Sequence, residues 1–301
     1  MACGRRPDRL ALAAAAVVLA SLLALPAVRS PLAGGAARLA DVDPAAVAGG
    51  GIALLLAQAA AALAWRAALR ACGQGVSLRQ AVGCYGAGSL ANSLLPGGAG
   101  DALRIELFAR ATGENARWLC GGVCAGINAG RAVVFAALLV GGVAGGLLPA
   151  EVLLAPLAGL AAIGVAATLG RRRGGTRLGE VARGATSITP AAIGWLSLVL
   201  ALRFGSAVYL LHSFSVARPA TGAIVLLTAL GASSFVTLTP GNVGIASAAV
   251  AVALAHAGIE PGTAAAVGIA YHALETCAGL AFGACGFLLR AERLEGLVSS
   301  P

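Results

Sequence analysis

The chain has 301 residues, 59% of them hydrophobic and only 11% charged, with a formal net charge of +9. A charged fraction so far below the ~25% of soluble domains, with apolar runs near the ~20 residues that cross a bilayer, excludes a soluble globular protein. Every basic residue is arginine, and the arginines flank apolar runs, so the positive charge reads as membrane topology and not as a nucleic-acid surface.

The predicted elements follow in order. Arg5, Arg6 and Arg9 precede an apolar run over about 10–28, read as a first span and not a cleaved signal. A polar loop with Arg29, Arg38, Asp41 and Asp43 leads to a second span over 45–65, ending at Trp65, read as an interfacial anchor. Arg66, Arg70 and Arg79 come next, then a short, glycine-weakened helix over 80–95. It breaks at Pro96-Gly97-Gly98-Ala99-Gly100. Proline lacks a backbone donor and glycine tolerates unusual dihedrals, so neither belongs inside a spanning helix.

Residues 101–117 read as an amphipathic surface helix, with Glu106 four residues before Arg110, the favourable orientation for a helical ion pair. A long span over 118–148 carries Asn128 and Arg131, and another covers 152–169. A basic loop with Arg171, Arg172, Arg173, Arg177 and Arg183 follows. The span over 190–212 contains Arg203. Two apolar limbs, 220–238 and 242–258, surround a second break at Thr239-Pro240-Gly241-Asn242-Val243-Gly244. The last span, 263–289, carries His272 and Glu275.

With both termini cytoplasmic and both broken segments returning to their own side, sixteen arginines lie inside, three outside and two within spans. That bias supports the topology, and it is the same whether the limbs around Pro240 return to their own side or both cross, since either choice preserves parity. A shift of 144 residues lays Ser89 on Ser233, Pro96-Gly97 on Pro240-Gly241 and Gly100 on Gly244. The expected architecture is an all-α polytopic bundle of two inverted repeats with broken hairpins, halves about 10–148 and 151–290, in one transmembrane domain. Broken backbone survives in a bilayer only where protein or water satisfies it, so the two breaks mark the site.

The seven cysteines read as small apolar residues, because no His or carboxylate stands at metal-ligand spacing beside them. No metal or cofactor is expected. Gly98-Ala99-Gly100-Asp101 spells the Gly-x-Gly-Asp of intramembrane aspartyl proteases. That chemistry needs a second facing aspartate, and Asp8, Asp41 and Asp43 all lie outside the spans.

At its breaks the sequence resembles the transmembrane region of the lysylphosphatidylglycerol synthase family, the flippase-like membrane proteins. Pro96, Gly100, Asp101 and Arg104 fit a first motif of the form Pro-x-x-x-Gly-Asp/Glu-x-x-Arg. Residues Thr239 to Ser247 resemble a second, Thr-Pro-Gly-Gly-Leu-Gly-Val-x-Glu, with Ser247 where the family has glutamate. Gly98 replaces a basic residue often found in the first motif. The resemblance implies a membrane protein of the cell (plasma) membrane whose partners are anionic or phosphate-bearing lipids. The soluble aminoacyl-transferring domain is missing from these residues, so transferase activity is not implied. The function expected is lipid translocation or binding. The alternatives are a scaffold presenting lipid to a separately encoded synthase or transferase, and a solute or ion transporter.

The candidate site residues are Asn92, Pro96, Gly97, Gly100, Asp101, Arg104, Arg131, Pro240, Gly241, Asn242, Gly244, His272 and Glu275. Arginine suits phosphate because its planar fork matches the oxygens. A helix restarting after each break points free N–H donors inward, and Asp101 can either cap its helix or pair with Arg104. The repeat superposes Arg131 on Glu275, which predicts that these two opposite charges pair.

Overall fold

The computed structural model describes residues 38, 42–95, 99–113, 116–146, 176–233 and 244–298. Among them the chain is all helical. Helix α1 is Pro44–Ala71, α2 Leu78–Leu94, α3 Ala99–Thr112, α4 Arg117–Ala144 and α5 Thr176–Ala185. Helix α6 is Pro190–Ser213, α7 Pro219–Ser233, α8 Ile245–His256 and α9 Pro261–Val298. The stretches α1, α4, α6 and Pro261–Leu289 of α9 are long and apolar enough to cross a membrane. The spans expected over 10–28 and 152–169 lie outside the described residues.

The helix starts are written in local sequence. Asp43 accepts from the Ala45 N–H at 2.9 Å, with Pro44 opening α1. Ser77 and Gln80 form a reciprocal capping box at α2. Thr189 caps α6 ahead of Pro190. Glu260 accepts from the N–H groups of Gly262 and Thr263 at the head of α9.

Some helix boundaries coincide at the 144-residue shift. The 144-residue shift carries Arg117, the start of α4, onto Pro261, the start of α9. It carries Thr112, the end of α3, onto His256, the end of α8. Helix α1 packs along α6, where Ser206 donates to the Gly50 carbonyl at 3.1 Å. Helix α2 packs along α9 through glycines: a Cβ on Gly86 would lie 2.9 Å from the Phe282 carbonyl oxygen. Small residues let helices approach this closely in a bilayer, where packing replaces the hydrophobic drive.

Two expectations change. Residues 176–185, read as part of a loop, form α5, which docks on α4: a Cβ on Gly122 would meet the Val181 carbonyl oxygen at 2.2 Å. Glycine on both helices permits the contact: a Cβ on Gly184 of α5 would lie 2.3 Å from the Leu119 carbonyl oxygen. Trp65 is no interfacial anchor. It is 2% exposed and stacks on Phe108 of α3 with ring centroids 4.9 Å apart. Helix α3 therefore presses Arg104, Phe108 and Ala109 into the bundle, and only its opposite face carries the expected Glu106–Arg110 pair at 2.8 Å.

The arginines segregate by end. Arg66 donates to the Val76 carbonyl, Arg79 to the Leu289 carbonyl, and Arg117 pairs with Glu106, all at one end of the bundle. Arg38 pairs with Glu260 at 3.2 Å at the other.

Candidate functional site: an arginine cluster around Tyr85

Helices α2 and α3 form a hairpin whose arms touch through glycine. A Cβ on Gly100 would lie 2.2 Å from the Gly88 carbonyl oxygen, so no larger residue fits there without moving the arm. Asn92 closes the top: its Oδ1 accepts from the Gly100 N–H at 2.9 Å. The cap of α3 is thus Asn92 and not Asp101. Asp101 instead accepts from Arg104 Nη1 at 2.5 Å.

That pair aims Arg104 inward. The side chain is buried, and Nη2 donates to Ser89 Oγ at 3.0 Å. Ser89 donates in turn to Gln58 Oε1 at 3.2 Å. The guanidinium carbon lies 4.3 Å from the centroid of the Tyr85 ring, a cation–π contact. From α4, Arg131 donates through Nη2 to the Tyr85 hydroxyl at 3.3 Å. Tyr85 also stands within electrostatic reach of Arg203 on α6. Sequence reasoning missed Tyr85 altogether; the signal was a lone tyrosine in an Ala- and Gly-rich helix.

Arg203 pairs with Glu275 of α9. Glu275 therefore takes Arg203 in this structure, and not Arg131, the partner expected from the repeat. The face of α9 that bears Glu275 meets α6: Tyr271, one turn earlier, donates its hydroxyl to the Arg203 carbonyl at 3.4 Å. The shift placed 131 and 275 at equal depth, but the helix faces send Arg131 to α2 and Glu275 to α6.

Three arginines therefore gather with two carboxylates. Among the described residues no carboxylate pairs with Arg131, and the Nε atoms of Arg104, Arg131 and Arg203 are buried without a hydrogen-bond partner. His272 is 8% exposed, and neither ring nitrogen has a partner. Gly244 begins α8 at φ 91°, a conformation that favours glycine. Pro96, Gly97, Pro240, Gly241 and Asn242 lie outside the described residues. Among the described residues no group of three or more His, Cys, Asp and Glu could hold a metal. A cavity of about 360 Å³ opens at the arginine-rich end between Gln74, Thr112, Glu180 and Arg183, away from this cluster.

The family described as lysylphosphatidylglycerol synthase TM region matches residues 10–283. The chain belongs to that family. In the stretch that resembles that family's first motif, Gly100 makes the α2–α3 contact, Asp101 the ion pair, and Arg104 is the inward cation. Membership and the four long apolar helices make this a multi-pass membrane protein. No curated protein and no solved structure matches the chain.

Proposed function

We propose that this protein binds the phosphate of a membrane lipid at the arginine cluster and carries the lipid between leaflets of the cell membrane, without covalent chemistry. The observation that supports this is Arg131: a cation within a span, held by a phenol and by no acid among the described residues. A charge at mid-span costs about 2.5–3.5 kcal/mol on insertion scales, so one kept there without an acid points to a ligand that completes it. Both termini and the arginine-rich end face the cytoplasm in this reading, which places the hairpin of α2 and α3 open to the inner leaflet.

The test is reconstitution in vesicles containing fluorescent phosphatidylglycerol, with quencher added outside. Exchange above empty vesicles, reduced by Arg131→Gln, is the expected result. No exchange would overturn translocation. Retained lipid binding without exchange would instead favour presentation of lipid to a separately encoded synthase or transferase.

A further inference from the structure

Arg104 is held from two sides, and the two sides differ in access. On one side Nη1 donates to Asp101 Oδ1 at 2.5 Å. On the other, Nη2 donates to Ser89 Oγ at 3.0 Å, and Ser89 donates to Gln58 Oε1 of α1 at 3.2 Å. Ser89 is buried, so that side is closed. The Arg104 side chain is 7% exposed and the Asp101 side chain 41%. An arriving anion therefore meets the carboxylate before it meets the guanidinium.

Asp101 also shares the charge field of the cation that lacks an acid. Asp101, Arg104 and Arg131 all lie within electrostatic reach of Cys124 on α4. Arg104 and Arg131 touch the same tyrosine, one over the ring of Tyr85 and one at its hydroxyl. Among the described residues, Asp101 pairs with Arg104 alone. To a guanidinium, a phosphodiester and a carboxylate present the same feature, a pair of anionic oxygens that accept its N–H groups.

We infer that Asp101 occupies the position that the ligand's phosphate takes on Arg104, and that Gln58, acting through Ser89, holds the guanidinium in place during the exchange. The inference rests on the arginine cluster being the lipid site. Binding swaps one charge-assisted pair for another, so Arg104 is never left as an uncompensated charge within the bundle. Asp101, the outer and more exposed partner, is the one that gives way. Gln58 is a positioning residue. Its Oε1 accepts the Ser89 proton, which leaves the Ser89 lone pairs to Nη2 of Arg104. It is the only amide or hydroxyl side chain in α1, a span in which such a group bonds across to a neighbouring helix.

The experiment titrates short-chain fluorescent phosphatidylglycerol into the full chain in neutral detergent, with thermal unfolding measured on each variant. Asp101→Asn keeps the shape and an acceptor but removes the charge. It should bind about fivefold more tightly, the difference between a charged and a neutral acceptor on one N–H. Asp101→Ser should move binding in the same direction. Gln58→Leu should bind about fivefold more weakly, the loss of one supporting hydrogen bond. In an Arg104→Gln background, neither Asp101→Asn nor Gln58→Leu should alter the binding that Arg131 retains. An effect of Gln58→Leu that persists there would overturn its positioning role. Equal or weaker binding by Asp101→Asn, while Arg131→Gln still weakens binding, would overturn the exchange and leave the lipid site standing. No saturable binding by the unsubstituted chain would overturn the lipid site itself, and the exchange with it.

Discussion

The guanidinium of Arg104 lies over the ring of Tyr85, its carbon 4.3 Å from the ring centroid. The same tyrosine offers its hydroxyl to Arg131, so one side chain orients two cations from two helices. The two contacts separate by mutation. Tyr85→Phe keeps the ring and should cost no more than about 1 kcal/mol, the net worth of one hydrogen bond. It should leave Arg131 freer and lipid binding equal or tighter. Tyr85→Leu loses the cation–π contact as well, worth about 0.5–2 kcal/mol, and should lower both stability and binding. Thermal unfolding in detergent, read beside a lipid-binding titration, checks the pair.

Arg203 and Glu275 tie α6 to α9. Removing one partner leaves an uncompensated charge in the span, at about 2.5–3.5 kcal/mol on insertion scales. Arg203→Met and Glu275→Gln should each lower the melting temperature, and the double variant should recover much of the loss. A double-mutant cycle should show strong coupling for 203 with 275 and weak coupling for 131 with 275. Strong coupling of 131 with 275 would mean that another state of the protein pairs those two.

How much of this was readable beforehand follows from the physics of each signal. Apolar run length located the four long helices. Two helix boundaries coincide at the 144-residue shift, Arg117 on Pro261 and Thr112 on His256. Depth along a span is a sequence property, so the shift placed Arg131 and Glu275 at corresponding positions. Which way a helix face turns is a packing property, and it sent them to different partners. Trp65 shows the same limit: its position at the end of an apolar run suggested the interface, but the stack on Phe108 is set by how α3 folds back. Tyr85 had no motif, and its importance arises only where α2, α3 and α4 meet.

The hairpin should be intolerant of any side chain at its contact. Gly100→Ala puts a methyl 2.2 Å from both Asn92 Oδ1 and the Gly88 carbonyl oxygen. The arm must shift, at about 1–3 kcal/mol for an overpacked site. Asn92→Ala removes the cap without crowding and should cost about 0.5–2 kcal/mol. If the hairpin positions Arg104 for ligand, Gly100→Ala should lose more lipid binding than Asn92→Ala at equal loss of stability. Matched binding and unfolding curves decide this.

The ends of the bundle carry the acid sensitivity. Backbone N–H groups of Thr263 and Gly262, the Thr263 hydroxyl and Arg38 hold the Glu260 carboxyl below the usual carboxylate range. Arg110 and then Arg117 do the same for Glu106, against partial desolvation. A carboxyl with a depressed folded pKa adds stability above its unfolded value and loses it as pH falls through the folded one. The stabilisation should therefore be complete at neutral pH and decline below about pH 4.5, near the ordinary carboxylate pKa. Glu260→Gln should flatten that acid limb while leaving the neutral-to-basic limb unchanged. An unaltered acid limb would show that this cap carries no measurable weight.

The orientation of the bundle can be read from its two ends. Arg177 on α5 lies 5.8 Å from the ring of Trp118 at the head of α4, and Arg183 is one and a half turns further along the same helix. The Arg38–Glu260 pair and the loop at Ser215 lie at the opposite end of the bundle. Positive charge is retained on the cytoplasmic side during insertion, so the Arg183 end should face the cytoplasm and Ser215 the exterior. Cysteine placed at Ser215 should react with an impermeant thiol reagent in intact cells. Cysteine placed at Arg183 should react only after permeabilisation, in a background where exposed Cys277 and Cys285 are replaced. Both reacting from outside would break the link between arginine count and topology. Labelling of Arg183→Cys alone from outside would invert the protein, and with it the leaflet to which the hairpin of α2 and α3 opens.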